Sequence, residues 1–182
     1  CLQLNQVGNE LLIRYGLAEM QAGMWDDPNS IYRECRSIVI DLLNDAIIVA
    51  PFRKFFNLDE VEENKLANVM REIANAKFVE YTDKKDGSMQ SARWYNGEIK
   101  MYGSMALKAE DSWRLADGYK MLDYNYIKML TENNDYTFIF EYISQADSHV
   151  VKYKKEEEGL YLIGVRDMDT GKELTYNQIQ AI

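Results

Sequence analysis

Short apolar segments separated by polar turns recur along this chain, a pattern that favours β-strands. Between two of these segments lies an Asn96-Gly97 pair, the dipeptide preferred by tight hairpin turns. The segment at residues 78–83 leads directly into a polar Lys-Lys-Asp-Gly-Ser run. The predicted strands lie within residues 37–52 (two strands around an Asn44-Asp45 turn), 77–104 (three strands), 136–144, 149–153 and 159–167.

Helical periodicity is found in three other regions. Residues 58–76 carry apolar side chains at helical spacing, and Asn57 or Asp59 is suited to cap that helix. A tyrosine-rich helical region follows at residues 109–132, and the final segment, "TYNQIQAI", begins another helix. Strands joined by hairpins dominate, and no repeat or Pro/Gly-rich linker interrupts them. We therefore expect one α+β domain with antiparallel sheets over residues 1–182.

Composition and charge narrow the class of protein. A hydrophobic content of 47% suits a packed globular protein, and no apolar run reaches the ~20 residues that span a bilayer. The N-terminal segment lacks the features of a signal peptide. Two cysteines, Cys1 and Cys35, give neither a disulfide framework nor metal-ligand spacing, so we expect a cytoplasmic, intracellular protein. A net charge of −9 argues against a protein that coats nucleic acid, although a local basic groove is compatible with it.

The polar run after residues 78–83 offers the clearest chemistry. Lys84, Asp86, Gly87 and Ser88 form a Lys-x-Asp-Gly-Ser sequence. These residue types also suit an ordinary turn, so the residues alone leave open whether the lysine is a surface residue or a nucleophile. The same holds for Glu141, an acid within the apolar segment "TFIFEYI", which lies either on a solvent face or in a site.

Several segments together resemble the ATP-dependent RNA ligases of the phage T4 RNA ligase 1 type, a branch of the covalent nucleotidyltransferases. Their order and spacing match over roughly residues 30–175, which is more specific than the lysine motif alone. The resemblance implies the α+β nucleotidyltransferase fold, with ATP bound between antiparallel sheets. The matching segments are "ECRSIVID" (34–41), "PFRKFFN" (51–57), "KKDGS" (84–88), "FIFEYIS" (138–144) and "YLIGVRDMDTGKEL" (161–174).

The resemblance implies a reaction in three steps. Lys84 attacks the α-phosphate of ATP to give lysyl-AMP, the AMP passes to an RNA 5′-phosphate, and an RNA 3′-hydroxyl displaces it to seal the strand. ATP, a divalent metal ion (Mg²⁺ or Mn²⁺) and RNA ends are therefore the implied cofactors and partners. A lysine attacks only when neutral and its free pKa is ~10.4, so a nearby cation such as Lys54, Lys85 or the metal ion is expected to favour the neutral form. Lys85 is otherwise expected to be a surface lysine.

The resemblance also implies roles for the other residues. Glu141 becomes a catalytic residue and the ligand of the metal ion or of the ribose. Asp86 and Gly87 belong to the nucleotide-binding motif, where Gly87 leaves room for the nucleotide to approach the backbone. The secondary contacts to nucleotide or phosphate are Lys54, Phe56, Arg36 and Arg166.

The chain departs from the family pattern in three places. The family favours a basic residue before the Gly-Ser of 103–104, where this chain has Tyr102. Lys100, on the same strand face, is expected to substitute for it. Ser148-His149 stands where the family tends to have Asn-Arg. The family also needs a later Glu-Gly strand and a final Lys-x-Lys strand; "EEEGLYL" imitates the first out of order, and no Lys-x-Lys follows residue 175. Three explanations are open: a fragment of a longer ligase, strands supplied by another chain, or a chain that cannot complete the reaction. We expect the fragment, with a fold truncated at the C-terminus.

Three alternatives stay open at this point. A DNA ligase or a capping-type enzyme shares the lysine motif, although "PFRKFFN" favours an RNA ligase. A non-catalytic remnant that binds nucleotide or RNA would explain the missing Lys-x-Lys. An accidental motif in an unrelated α+β domain would bring no nucleotide-dependent stabilisation.

Overall fold

The computed structural model describes residues 2–16, 23–132 and 134–182. Two four-stranded antiparallel sheets and four α-helices make up this part of the chain, which confirms the α+β class. The first sheet has the order β1-β2-β3-β4, and its strands are Leu2–Val7, Glu10–Tyr15, Arg36–Asp41 and Ala46–Val49. The second sheet has the order β6-β5-β7-β8. In numerical order its strands are β5 (Ser88–Tyr95), β6 (Glu98–Gly103), β7 (Tyr136–Ile143) and β8 (Gly159–Asp167). The helices are α1 (Leu66–Asn75), α2 (Trp113–Met121), α3 (Tyr124–Thr131) and α4 (Tyr176–Gln180).

The second sheet begins with the hairpin that the sequence predicts. Asn96 and Gly97 join β5 to β6 with positive φ angles of 50° and 86°. Two other predicted strands are wrong. Residues 78–86 have no regular structure, and residues 78–84 are exposed. Residues 149–153 form a loop, because the amides of Val150 and Val151 bond to a carboxylate instead of to a neighbouring strand.

The first helix is shorter than the sequence pattern predicts. Residues 58–65 form turns and a short 3-10 helix, and α1 begins at Leu66. Asp59, one of the two predicted caps, accepts a hydrogen bond on Oδ1 from the Leu66 amide at 2.9 Å. None of the residues of α1 is buried. The apolar spacing that predicts this helix therefore lies on the protein surface.

The second sheet has a different neighbour on each face. One face packs under α2 and α3 around Phe138, Phe140 and Leu115. The other face packs on the first sheet, where buried residues from both sheets form one cluster that includes Leu12, Val39, Ile48, Tyr102 and Leu107. Since side chains alternate along a strand, the odd-numbered residues of β7 point towards the first sheet.

Two features bear on the protein class. None of the helices in the described part of the chain has the length and apolar character needed to cross a bilayer. Cys35 is a buried free thiol, whereas Cys1 lies outside the described residues.

Candidate functional site

A cavity of about 450 Å³ opens between the two sheets. It brings together residues that are far apart in the chain: Arg36 at the start of β3, Lys84 and Gly87 in the turn before β5, and Glu141 on β7. We call it the lysine cavity. Its volume is in the range of small-molecule sites. The rest of its wall is formed by Phe52, Phe55, Thr82, Asp83, Lys85, Met89 and Ile163.

Lys84 is exposed in a turn, residues 84–88, which we call the lysine turn. Hydrogen bonds fix the three residues that end it. The Asp86 amide donates to the Tyr153 hydroxyl at 2.9 Å, and the Gly87 amide donates to Glu141 Oε1 at 2.9 Å. The Ser88 hydroxyl donates to Asp147 Oδ2 at 2.5 Å. The backbone next to Lys84 is therefore held at a defined position beside the cavity.

The Asp86 carboxylate fastens a neighbouring loop to this turn. Its Oδ2 accepts hydrogen bonds from the amides of Val150 (2.8 Å) and Val151 (2.7 Å). These two bonds, that from Val151 first, hold the pKa of Asp86 below its usual range. Asp86 does not line the lysine cavity. Both hydrogen bonds of its carboxylate are with backbone amides of the protein.

Gly87 allows the lysine turn to lie against β7. A Cβ atom at this position would lie 2.2 Å from the carbonyl oxygen of Tyr142 and 2.7 Å from Cδ1 of Ile143. Both distances are below 3.0 Å, a separation that non-bonded contacts of a Cβ atom essentially never show. The sequence analysis expects glycine here because it leaves room for a nucleotide. The structure adds a second reason, which is the close packing of this backbone against β7.

Glu141 lies in the cavity and not on a solvent face. It pairs with Met89 across β5 and β7, on the face that looks towards the first sheet. Burial raises the pKa of Glu141, and the Gly87 amide and the charges of Lys84 and Arg36 oppose that rise. A partly buried carboxylate can accept a hydrogen bond from a ribose hydroxyl or act as a ligand of a metal ion.

Arg36 places an unpaired donor at the same cavity. Its guanidinium lies over the Phe55 ring, 4.0 Å from the centroid. Its Nη1 is buried and has no hydrogen-bond partner among the described residues. A buried donor without an acceptor costs about 1–3 kcal/mol.

Lys54 and Phe56 lie beside the lysine cavity but do not line it. The Lys54 ammonium donates to the Phe55 carbonyl at 2.9 Å and lies 4.3 Å from the centre of the Phe56 ring. Phe56 packs edge-on against Trp25. Phe55, between them, faces the cavity instead. Because residues 50–57 have no regular structure, the alternation of a strand could not predict which aromatic side chain points inward.

Arg166 is held by protein groups outside the cavity. Its guanidinium donates to the carbonyls of Pro51 at 3.0 Å and Gly171 at 2.9 Å and pairs with Glu34 at 2.8 Å. It therefore ties β8 to two loops.

Lys100 also lies elsewhere, although it is on the face of β6 that the sequence predicts. It pairs with Glu10 at 2.9 Å and Glu98 at 2.7 Å. Lys100 is opposite Arg93, whereas Glu141 is opposite Met89, so the two levels are about 13 Å apart along β5.

The structure adds Tyr153 and Asp147 to the residues that the sequence singles out, and it corrects the surface position expected for Lys85. Lys85, expected on the surface, lines the lysine cavity, with its ammonium 4.9 Å from the centre of the Tyr161 ring. Tyr153 and the buried Asp147 anchor the lysine turn, and Asp147 also accepts from Arg114. Their partners are 59 to 67 residues away. No local pattern could have revealed them.

The donor set fits a magnesium or manganese ion bound together with a nucleotide. Within the described residues, no cluster of three or more His, Cys, Asp or Glu side chains could hold a metal ion by itself. Magnesium, however, is usually bound through one or two carboxylates, with water and substrate phosphates completing its shell. Glu141 and Asp83 both line the lysine cavity and are the carboxylates that would be available to such an ion.

Comparison with known proteins identifies the family. A search of curated proteins finds no match. A family model described as RNA ligase, of the T4 type, matches residues 34–182, a range that contains the whole wall of the lysine cavity. The match covers well over half of the chain and confirms the resemblance read from the sequence. The chain belongs to the T4 RNA ligase 1-type family of RNA ligases.

Proposed function

We propose that this chain carries adenylyltransferase machinery of an ATP-dependent RNA ligase and that Lys84 is the residue that becomes adenylylated. One observation carries the proposal. Lys84, Arg36 and Glu141 come from three distant parts of an RNA ligase family chain and line one cavity of about 450 Å³. A turn that only reversed the chain would not need these partners.

The first step joins AMP to the enzyme. The neutral Nζ of Lys84 attacks the α-phosphorus of ATP, an N–P bond forms, and the bond from that phosphorus to the bridging oxygen breaks. Pyrophosphate leaves with the electron pair, and the amine proton passes to solvent. Arg36 donates to phosphate oxygens, which stabilises the charge that develops on them. Glu141 and Asp83 would hold a divalent ion, which when bound would neutralise phosphate charge.

The next two steps move AMP onto RNA and then release it. An oxygen of an RNA 5′-phosphate attacks the phosphorus of lysyl-AMP, and the N–P bond breaks to regenerate the Lys84 amine. An RNA 3′-hydroxyl then attacks the activated 5′-phosphorus and displaces AMP. In each step the lysine turn keeps Lys84 at the cavity through the bonds of Asp86, Gly87 and Ser88.

The test is the intact mass of the purified chain after incubation with ATP and Mg²⁺. The product of the complete gene is included where that is longer. We expect an AMP-sized increase that is lost in Lys84→Ala. Lys77→Ala changes an exposed lysine of the same extended segment and should keep the increase. Glu141→Gln should lower the rate of adduct formation by about a hundredfold, because it removes a charged ligand without changing the size of the side chain.

Two results would contradict the proposal. An adduct that survives Lys84→Ala would refute the assignment of the nucleophile. No adduct in the chain or in the complete product, together with measurable ATP binding, would favour a binding remnant instead. If an adduct forms, ligation of 5′-phosphorylated RNA against DNA of the same sequence separates an RNA ligase from a DNA ligase.

A further inference from the structure

A second, smaller cavity adjoins the lysine cavity, and nothing described so far assigns it a role. It has a volume of about 190 Å³ and is lined by Arg14, Tyr15, Arg36, Ser37, Met89 and Ser104. We call it the arginine cavity. It shares the lining residues Arg36 and Met89 with the lysine cavity, so the two cavities are neighbours.

The arginine cavity concentrates positive charge in an acidic protein. The net charge of the chain is −9, yet the charged side chains that line this cavity are Arg14 from β2 and Arg36 from β3. Acidic groups are close without lining it: Glu141 and Glu173 both act on Arg36 at longer range. The cavity therefore presents guanidinium donors to whatever enters it.

The donors in this cavity still have capacity to bind. The buried Nη1 of Arg36 has no partner among the described residues. Arg14 Nε reaches the carbonyl oxygen of its neighbour Tyr15 only at 3.5 Å, a weak hydrogen bond. The Ser37 hydroxyl donates to the Ser104 carbonyl at 2.7 Å, which holds β3 to the segment after β6 and fixes the wall of the cavity.

The resemblance already implies a phosphate contact for Arg36, and we propose that Arg14 is a second residue that binds the same phosphate group in the arginine cavity. Guanidinium groups match the geometry of phosphate oxygens and bind them with paired hydrogen bonds. The inference rests on the proposed function, which supplies two sources of such a group: the 5′-phosphate of an RNA strand and the phosphates of ATP. Arg14 lies outside the range of the family match, so this residue is an assignment from the geometry alone.

The experiment compares wild type with Arg14→Ala, Arg14→Lys and Arg71→Ala. Arg71 is an exposed arginine on α1 and serves as the matched control. A 3′-labelled oligoribonucleotide is prepared with either a 5′-phosphate or a 5′-hydroxyl, and both affinities are measured by fluorescence anisotropy. The Michaelis constant for ATP is measured from the rate of the AMP mass increase. Melting temperatures of all variants show whether each is folded.

The outcomes assign the source of the phosphate. If it is the RNA end, Arg14→Ala reduces the preference for the 5′-phosphate by about tenfold or more, as expected for one lost charge-assisted pair, and leaves the ATP constant unchanged. If it is ATP, the ATP constant rises by a similar factor and the oligonucleotide preference does not change. Arg14→Lys should keep part of either effect, because it keeps charge but loses the paired donors.

A different result would overturn the subsite. If a folded Arg14→Ala behaves like Arg71→Ala in both assays, the arginine cavity binds no phosphate. Failure of the proposed function is distinguishable from this, since it appears as a missing AMP adduct in wild type whatever the oligonucleotide preference.

Discussion

At the scale of single residues, Gly87 contributes both to the packing of the lysine turn and to the hydrogen bonding of Glu141. Its amide donates to Glu141, and its missing side chain lets the lysine turn lie against β7. The two effects are coupled, because the amide reaches the carboxylate only at this close approach. A side chain at residue 87 should therefore disturb both the fold and the site.

We predict that Gly87→Ala destabilises the protein by about 1–3 kcal/mol, the usual cost of an added methyl group that the surroundings cannot accommodate. Gly103→Ala is the control, since its Cβ would lie 3.5 Å from the nearest atom, in ordinary contact with Ala106. Urea unfolding of both variants measures the difference. Equal stabilities would mean that the turn is free to move away from Tyr142.

The sequence indicates several residues that line the site, but not the direction of every side chain there. The resemblance to the family implies roles for Lys84, Arg36 and Glu141, and the structure brings all three to one cavity. Lys54 and Phe56 belong to the same motifs but lie beside it. A sequence motif indicates which residues lie near a site. The direction of each side chain depends on the backbone conformation, which is irregular in residues 50–57. Asp147 carried no motif at all, because its role comes from a partner 59 residues away.

At the scale of elements, α1 differs from α2 and α3, because none of its residues is buried. Leu66 on α1 is 53% exposed, whereas Leu115 on α2 is fully buried under the second sheet. Both leucines lie in regions where the sequence predicts a helix. Periodicity thus predicts that a helix forms and which face is apolar, but not whether another element covers that face.

We predict that Leu66→Ala changes the free energy of unfolding by less than about 0.5 kcal/mol and that Leu115→Ala lowers it by about 2–5 kcal/mol. The two substitutions remove the same atoms from a helix, so helix propensity does not distinguish them. Denaturant midpoints at constant slope give both values. A large loss for Leu66→Ala would show that its apolar face is covered in solution.

Strand prediction succeeds or fails here according to long-range partners. The Asn96-Gly97 hairpin is local, since its turn chemistry and both strands lie within a few residues, and it forms as predicted. Residues 78–83 have the composition of a strand but find no partner in a sheet, and Tyr81 remains 87% exposed. Because a strand is stable only when its backbone groups are paired, composition alone could not settle this segment.

At the scale of the whole molecule, the site depends on how the two sheets pack together. Arg36 comes from the first sheet and Glu141 from the second, whereas Lys84 comes from the turn before β5. Arg93 on β5 links the sheets directly. Its Nη1 donates to the carbonyls of Ile47 at 2.6 Å and Ile48 at 3.0 Å, while Asp135 binds the other side of the guanidinium.

We predict that Arg93→Met destabilises the protein by about 2–3 kcal/mol, because it leaves two carbonyls of β4 and one carboxylate without their donor. The expected loss of stability is at the lower end of the range for breaking a buried ion pair, since the Asp135 side chain is 40% exposed and stays partly hydrated. Arg71→Met, on the exposed surface of α1, should change stability by less than about 0.5 kcal/mol.

Urea unfolding is followed by tryptophan fluorescence and by circular dichroism, and both signals should shift together to a lower midpoint in Arg93→Met. An unchanged midpoint would mean that apolar packing alone holds the sheets in register. If only one signal shifts, the sheets unfold separately, and the lysine cavity between them would open before the molecule as a whole unfolds.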